Sequence, residues 1–401
     1  MSAASHHPSD LPGRLQLPGS LRIGAAAAVA IGTAALMMMF QGGDPSAGWS
    51  AYLIGSFFAI GLGVFGIAWL AITSLAGATW AVTMRRVPEA MTAWLLPGGL
   101  LMMALLAGAP SLYLWAQHVE GDELLAHKAP FLNLQLFTVL VGASFAAWLL
   151  FARAIVGASR RQDRDGGMAA TRLTRVSSAI FLVVFALTLS IVSFYFLMSL
   201  DVHWFSTMFA VLVFTDVIQT GTAFVAIVTS ALILTGQFKG FVRGDHLHAL
   251  GKMVFSATGF WAYIYFCQFM LIWYANIPEE TAYFIRRWEN GWMTYLLALP
   301  LLKFVVPFML MIPRAGKRRP QWLIPIGVVL LVAQFLELYV MVAPALGHGE
   351  HVPHAHFPGG EFLVTAGFLG AFVLVFSRSL GAHGAVPVKD PAISASLAYH
   401  T

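Results

Sequence analysis

A chain of 401 residues in which 59% are hydrophobic and only 10% charged lies far from the roughly 25% charge of soluble domains, and it reads as an integral membrane protein. The net charge of +5 sits mostly between the apolar stretches, where it suits an anionic lipid surface and does not imply nucleic-acid binding. The single cysteine, Cys267, lies inside an apolar stretch, which excludes an internal disulfide, a paired-cysteine metal site and covalent haem attachment.

Met1 to Ser20 is polar and contains proline, so it reads as a short extramembrane tail and not as a signal peptide. Ten apolar runs follow, at 21–40, 51–79, 92–116, 133–156, 177–199, 206–234, 253–274, 293–311, 322–342 and 362–379. Each is long enough to cross roughly 30 Å of hydrocarbon as a helix. The second contains GSFFAIGLGVFG, whose Gly55, Gly61, Gly63 and Gly66 permit close helix approach; a quinone tail can also use such a groove. Between the fourth and fifth runs, RAIVGASRRQDRDGGMAATRLTR reads as a solvated basic connector that divides the chain into halves.

The expected fold is therefore an all-α polytopic membrane protein of ten transmembrane helices. Two four-helix bundles, spans two to five and six to nine, carry two peripheral helices. The expected boundaries are a tail at 1–20, peripheral span one at 21–48, the first bundle at 49–200 and the second at 201–343. An outer loop at 344–361, span ten at 362–380 and a second tail at 381–401 complete the chain. Basic residues accumulate on the cytoplasmic side. Of the 23 Lys and Arg residues, nineteen fall on one set of alternate loops, Lys128, Arg286 and Arg287 on the other, and Lys303 inside a span. Both termini are thus expected to be cytoplasmic.

A faint repeat supports the two units. Span three ends LYLWAQHVEGDELLAHKAPF and span seven ends MLIWYANIPEETAYFIRRWE: a Trp, a polar residue three on (His118, Asn276), an acidic cluster, then a basic residue. Four spans per unit keep both copies in one orientation, as parallel repeats require. Asn276 is expected to cap a new helix with Pro278 in its first turn and Glu279 at the capping-box position, the acidic pair Glu279 and Glu280 facing the positive helix end. Trp273, Tyr274, Trp288 and Trp292 are expected as an interfacial aromatic belt. This outer rim, with His118, Asp201 and His203, is either a capped connector on the membrane surface or a contact site for a quinone headgroup or a partner.

Charge at membrane depth costs about 2.5 to 3.5 kcal/mol per residue on insertion scales, so Asp216 in VFTDVIQTGTAF, Lys303 in PLLKFVVPF and Glu337 in AQFLELYVM each need an explanation. At 1.5 Å per residue, Asp216 and Glu337 sit roughly 6 Å from mid-membrane toward the outer face and Lys303 near the centre. These depths allow the three to meet. Asp216, Gln219 and Thr220 share one helical face, a polar stripe that should point into the bundle. Two carboxylates beside one ammonium keep an uncompensated negative charge if all ionise, an arrangement that can take up and release a proton. A proton pathway through Asp216, Lys303, Glu337, Gln219 and Thr220 is one reading; an ordering salt bridge, or inward snorkelling of Lys303, is the other.

None of the thirteen histidines lies deep in a span, where a membrane cytochrome would need pairs of them for haem iron. The tract GHGEHVPHAHF lacks strict metal-ligand spacing and reads as a solvated loop. No phosphate-binding loop, nucleophile elbow or dinucleotide fingerprint stands out.

HLHALGKMVFSATGFWAYIYFCQFMLIWYANIPEETAYF followed by LLKFVVPFMLMIPRAGKRR resembles the second large membrane subunit of bacterial alternative complex III, in the polysulfide-reductase membrane-subunit (NrfD-like) family. WAVTMRRVPEAM, DELLAHKAPFLN and VPVKDPAISASL extend the resemblance over most of the chain. It implies a ten-helix, two-bundle protein of the bacterial cytoplasmic membrane, in a complex that oxidises quinol and reduces a periplasmic cytochrome c or similar carrier. The implied partners are a multihaem cytochrome c subunit, an iron-sulfur subunit, a homologous NrfD-like membrane subunit, smaller subunits, membrane lipids and a terminal oxidase. Haem c and iron-sulfur clusters would belong to those partners, with no cofactor bound by this chain and quinone or quinol as the ligand it can meet. A scaffold subunit and a secondary transporter, the latter hinted at by Pro300 and Pro307 flanking Lys303, are the competing readings.

Overall fold

The computed structural model describes residues 13–117, 121–238, 240–347 and 352–400, and over these the chain is helical, with no strand among the described residues. The first half runs α1 (Gly19–Gln41), α2 (Pro45–Leu75), α3 (Arg86–Met91), α4 (Leu95–Met103), α5 (Leu105–Leu112), α6 (Glu123–Lys128), α7 (Leu134–Asp165) and α8 (Met168–Phe196). The second runs α9 (Met208–Leu234), α10 (Gly244–Ala275), α11 (Pro278–Arg286), α12 (Trp292–Pro300), α13 (Val306–Met311), α14 (Arg314–Arg318), α15 (Pro320–Val342), α16 (Gly359–Gly381) and α17 (Ile393–Leu397). Nine helices among the described residues are long and apolar enough to cross a membrane, counting α12 to α13 as one. Residues 86–112 add a further apolar helical segment, bent by 45° between α4 and α5.

That bend is seated against α2. The Leu101 carbonyl, which accepts the Ala104 N–H at 3.1 Å where the helix tightens, also accepts the Tyr52 hydroxyl at 2.8 Å. Gly108 lies so close to the Trp49 ring that a Cβ would sit 2.2 Å from it. A kink thus has identifiable partners on the neighbouring helix. α2 itself is apolar all round, the pattern of a helix enclosed by others, and it packs on α3, α4, α5, α8, α9, α15 and α16. α1 leans chiefly on α16, where a Cβ on Gly32 would lie 2.7 Å from the Cα of Gly367. Two backbones meet directly there, as small residues allow in lipid.

The expected basic connector at 153–175 is corrected. Its basic residues are exposed for the most part, yet α7 runs to Asp165 and α8 begins at Met168. The break shrinks to Gly166 and Gly167, with Gly166 at φ +67° ending α7 in the left-handed conformation glycine accepts at a helix C-terminus. Arg and Gln are good helix formers, and Ser159 and Gln162 turn inward, so a charged stretch continues an amphipathic helix.

Both described ends gather on one face: Ala385 N–H donates to the Gly13 carbonyl at 3.0 Å, Lys389 holds the Arg164 carbonyl, and the His246 ring reaches the Ser396 carbonyl at 2.9 Å. We refer to this as the tail face. The opposite face carries α6 and α11, linked through Lys128 to the Val202 carbonyl at 2.5 Å and Arg286 to Asp201 at 3.3 Å.

Two expectations for the α11 face are corrected. Asn276 closes α10 at φ +49°, its backbone N–H donating to the Ile272 carbonyl. The residue before α11 is Ile277, without a side-chain cap. Asn tolerates the left-handed region better than other side chains, which makes it a C-terminal stop here. Trp273, Tyr274 and Trp288 are exposed as a belt requires, whereas Trp292 is fully buried. Asn290 and Gly291, both at positive φ, turn the chain inward, and Trp292 Nε1 donates to the Pro353 carbonyl at 2.7 Å.

Candidate functional site

α9 and the α12–α13 span each pack on both α10 and α15, and the three deep charges meet between them. Their convergence starts from two prolines. Leu301–Val305 winds as a single π turn between Pro300 and Pro307. Pro307 has no N–H to offer the Lys303 carbonyl four residues back. That carbonyl accepts Gln219 Nε2 from α9 at 2.9 Å instead. A π turn inside an α-helix is often found at a functional position, and this one carries a wholly buried lysine.

The Lys303 ammonium has three protons to give and three acceptors in reach: Asp216 Oδ1 at 2.6 Å, Gln334 Oε1 at 2.8 Å and Glu337 Oε2. Its nitrogen also lies 4.8 Å from the centre of the Trp261 ring, a favourable place for a cation. Trp261 Nε1 donates to the other Glu337 oxygen at 3.2 Å, and the Thr220 hydroxyl donates to Gln334 Oε1 at 3.0 Å. Gln219 Nε2 also contacts the Thr258 hydroxyl at 3.2 Å. The side chains of Lys303, Glu337 and Asp216 are 0%, 2% and 4% exposed.

All five residues expected to form a polar path thus belong to one network. One cation faces two carboxylates, and Asp216 Oδ2 and Gln219 Oε1 are buried without a partner. A buried acceptor left open is costly and marks where a proton or a water molecule can bind. Chemically, the cluster can hold a proton and pass it on without any redox centre.

Gln334, Thr258 and Trp261 escaped the sequence reading. Thr258, Trp261, Tyr265 and Gln268 recur on one face of α10 at helical spacing, and Gln334 precedes Glu337 by one turn; those periodicities were the available signals. A second charged group was also missed. Arg86, at the start of α3, donates to Glu89 at 2.6 Å and to Asp163, while Arg85 reaches Asp390 at 2.9 Å and Glu89 at 3.2 Å. Ser159 donates to Glu89 at 2.5 Å and Arg86 Nε to the Gly384 carbonyl at 3.2 Å.

The residues expected on the rim gather only in part. His118 lies outside the described residues. Asp201 is buried and paired with Arg286, and the Glu280 carbonyl accepts Trp204 Nε1 at 3.1 Å, so the loop after α8 packs on α11. His203 pairs with Asp122 at 2.8 Å. The backbone N–H of Leu125 and then His203 hold the Asp122 carboxyl below its ordinary range, while partial burial lowers the Lys128 ammonium. Trp273, Asn276 and Glu279 are exposed and converge on no common point with the others. Arg287 is buried on this face, donating to the carbonyls of Val340, Tyr283 and Met341 at 2.9 to 3.0 Å. Among the described residues no group of three His, Cys, Asp or Glu side chains can hold a metal ion.

An apolar groove of about 440 Å³ opens beside the cluster, with Trp261, Tyr265, Phe269, Trp288, Leu296 and Phe304 in its walls. Neither a scan of protein-family models nor a search of curated proteins finds a match to this chain.

Proposed function

We propose that this chain is a cofactor-free membrane subunit of a quinol-oxidising electron-transfer complex of the alternative complex III type, in which Asp216, Lys303 and Glu337, flanked by Gln219 and Thr220, form part of a proton pathway. The observation that carries the reading is the sealed cluster itself. Two carboxylates face one cation and one carboxylate oxygen is open, a costly arrangement if its only role were to tie helices together. The sequence resemblance supplies the complex, its haem- and iron-sulfur-bearing partners and the bacterial cytoplasmic membrane.

Ten spans in two four-helix bundles is the arrangement we favour. Both described ends meet on the tail face, which supports an even number of crossings, with the bent 86–112 segment as a crossing beside the nine continuous ones. With basic residues drawn to the cytoplasm, the tail face is the cytoplasmic one and the α11 face the periplasmic one. The groove beside Trp261 and Tyr265 suits the isoprenoid tail of a quinone, being apolar and aromatic-walled. A transporter would place its helix breaks at matching positions of the two halves. Here the 45° bend falls in the third span and the π turn in the eighth, which are not counterparts in a four-span repeat.

Isolation of the chain from its native membrane tests the assignment. It is expected to co-purify with a multihaem c-type cytochrome and an iron-sulfur protein, in an assembly that reduces cytochrome c with quinol. Isolation of a haem-free homomeric protein would overturn it.

A further inference from the structure

Two small cavities flank the charged cluster, one on each carboxylate. The first, about 20 Å³, lies between α2, α9 and α15 and is bounded by Gly61, Phe57, Val213, Asp216, Thr220 and Gln334. The second, also about 20 Å³, lies toward α11 and is bounded by Glu337, Tyr265, Gln268, Tyr283 and Arg287 among others. A cavity of roughly 10–15 Å³ admits one water molecule, provided it offers that water two or more polar partners. Both meet the condition, and the buried atoms left open point to the same occupant. Asp216 Oδ2 lacks a partner beside the first cavity, and the Tyr265 hydroxyl and Gln268 Oε1 lack one beside the second. Such orphaned groups in a native interior are ordinarily satisfied by ordered water.

We propose that each cavity holds one water molecule and that the two carboxylates exchange protons by separate routes, Asp216 through the water beside Gly61 and Glu337 through the water held by Tyr265 and Gln268. This rests on the proton-pathway reading above and assigns its two ends. A proton taken up at Asp216 Oδ2 from the first water, itself recharged from that side, is passed on when Lys303 gives one of its protons to Glu337 and recovers one from Asp216. Glu337 then releases its proton to the second water, and every group of the cluster ends as it began, with no electron transferred. Lys303 donates to both carboxylates and to Gln334, which also accepts the Thr220 hydroxyl. Arg287, fixed by three backbone carbonyls, bounds the second cavity on the α11 side and places a positive charge beyond it. That charge opposes the return of a proton from this face. The residues that define the routes are therefore Tyr265 and Gln268, with Gly61 leaving the space beside Asp216.

The test uses the intact complex in lipid nanodiscs for structure at a resolution that shows ordered water, and in vesicles for proton translocation, with four variants. In Gly61→Ala the added methyl meets nothing closer than Val217 at 3.7 Å, and alanine favours the helix, so it takes up water space without disturbing the fold. Gln268→Leu and Tyr265→Phe remove the polar partners on the other side, and Glu337→Gln is the reference. Water density is expected in both cavities, lost beside Asp216 in Gly61→Ala and beside Glu337 in Gln268→Leu. Proton transfer is expected to slow about tenfold in each, the effect of one lost hydrogen-bonded link. Dry cavities in the unaltered protein would overturn the inference. If Glu337→Gln stops translocation while Gly61→Ala, Gln268→Leu and Tyr265→Phe do not slow it, the separate routes are wrong and the proton pathway stands. If Glu337→Gln also leaves translocation intact, the pathway itself is wrong and the routes go with it.

Discussion

The two charged clusters of this molecule have the same formal imbalance and opposite settings. The Lys303 cluster has one cation for two carboxylates, all three side chains sealed from solvent. The Arg86 cluster has Arg85 and Arg86 against Glu89, Asp163 and Asp390, but the Asp163 side chain is 23% exposed, so water can share its excess charge. The Arg86 cluster also has an evident structural role, because Arg85 holds Asp390 and Arg86 holds the Gly384 carbonyl, fastening the C-terminal segment to α3. The Lys303 cluster joins α9 to the π turn and α10 to α15 across the middle of four helices, and no solvent reaches it. Charge among apolar helices therefore has to be judged by what it ties down and whether water reaches it.

That contrast can be broken most readily at the two cations. Lys303→Met strands two buried carboxylates and is expected to cost about 3–5 kcal/mol, measured as unfolding of the purified protein in detergent. Arg86→Met should cost clearly less, since Arg85 remains 3.2 Å from Glu89 and Asp163 can turn to solvent. Equal losses would erase the distinction. Arg287→Met is expected to fall between them at about 1–3 kcal/mol, because it leaves three buried carbonyls unpaired; no loss would mean that water replaces the guanidinium.

The smallest effect is a pH response confined to the α11 face. The Asp122 carboxyl caps α6 through Leu125 N–H at 3.0 Å and is held below its ordinary range by that bond and by His203. A carboxyl lowered in the folded state stabilises at pH above its unfolded value, about 3.9, and that contribution disappears as pH falls through the lower folded value. Hydrogen-exchange protection of the Leu125 amide is expected to drop on acidification below about 4 and to be insensitive to pH in Asp122→Asn. Equal pH sensitivity in the variant would assign the effect elsewhere.

The apolar runs fell on helices because twenty residues of lipid-compatible sequence leave the backbone few alternatives. The bend near Ala104 was not legible, since it depends on where Trp49 and Tyr52 of another helix press. Asp216, Lys303 and Glu337 stood out because charge in lipid is expensive, whereas Gln334 and Thr258 cost little and attracted no notice. Asn276 was misplaced for a physical reason: its side chain suits both a helix start and a left-handed stop, and only the fold chooses. The pairing of Arg85 with Asp390, 305 positions apart, leaves no local trace at all.

If the chain serves the proposed quinol-oxidising complex, protons moved per electron by that complex in sealed vesicles test the Lys303 cluster most directly. Asp216→Asn and Glu337→Gln are each expected to lower that ratio while quinol oxidation continues, and Glu89→Gln in the Arg86 cluster is expected to leave it unchanged. A ratio that stays constant in Asp216→Asn and Glu337→Gln would contradict a role for this cluster in moving protons.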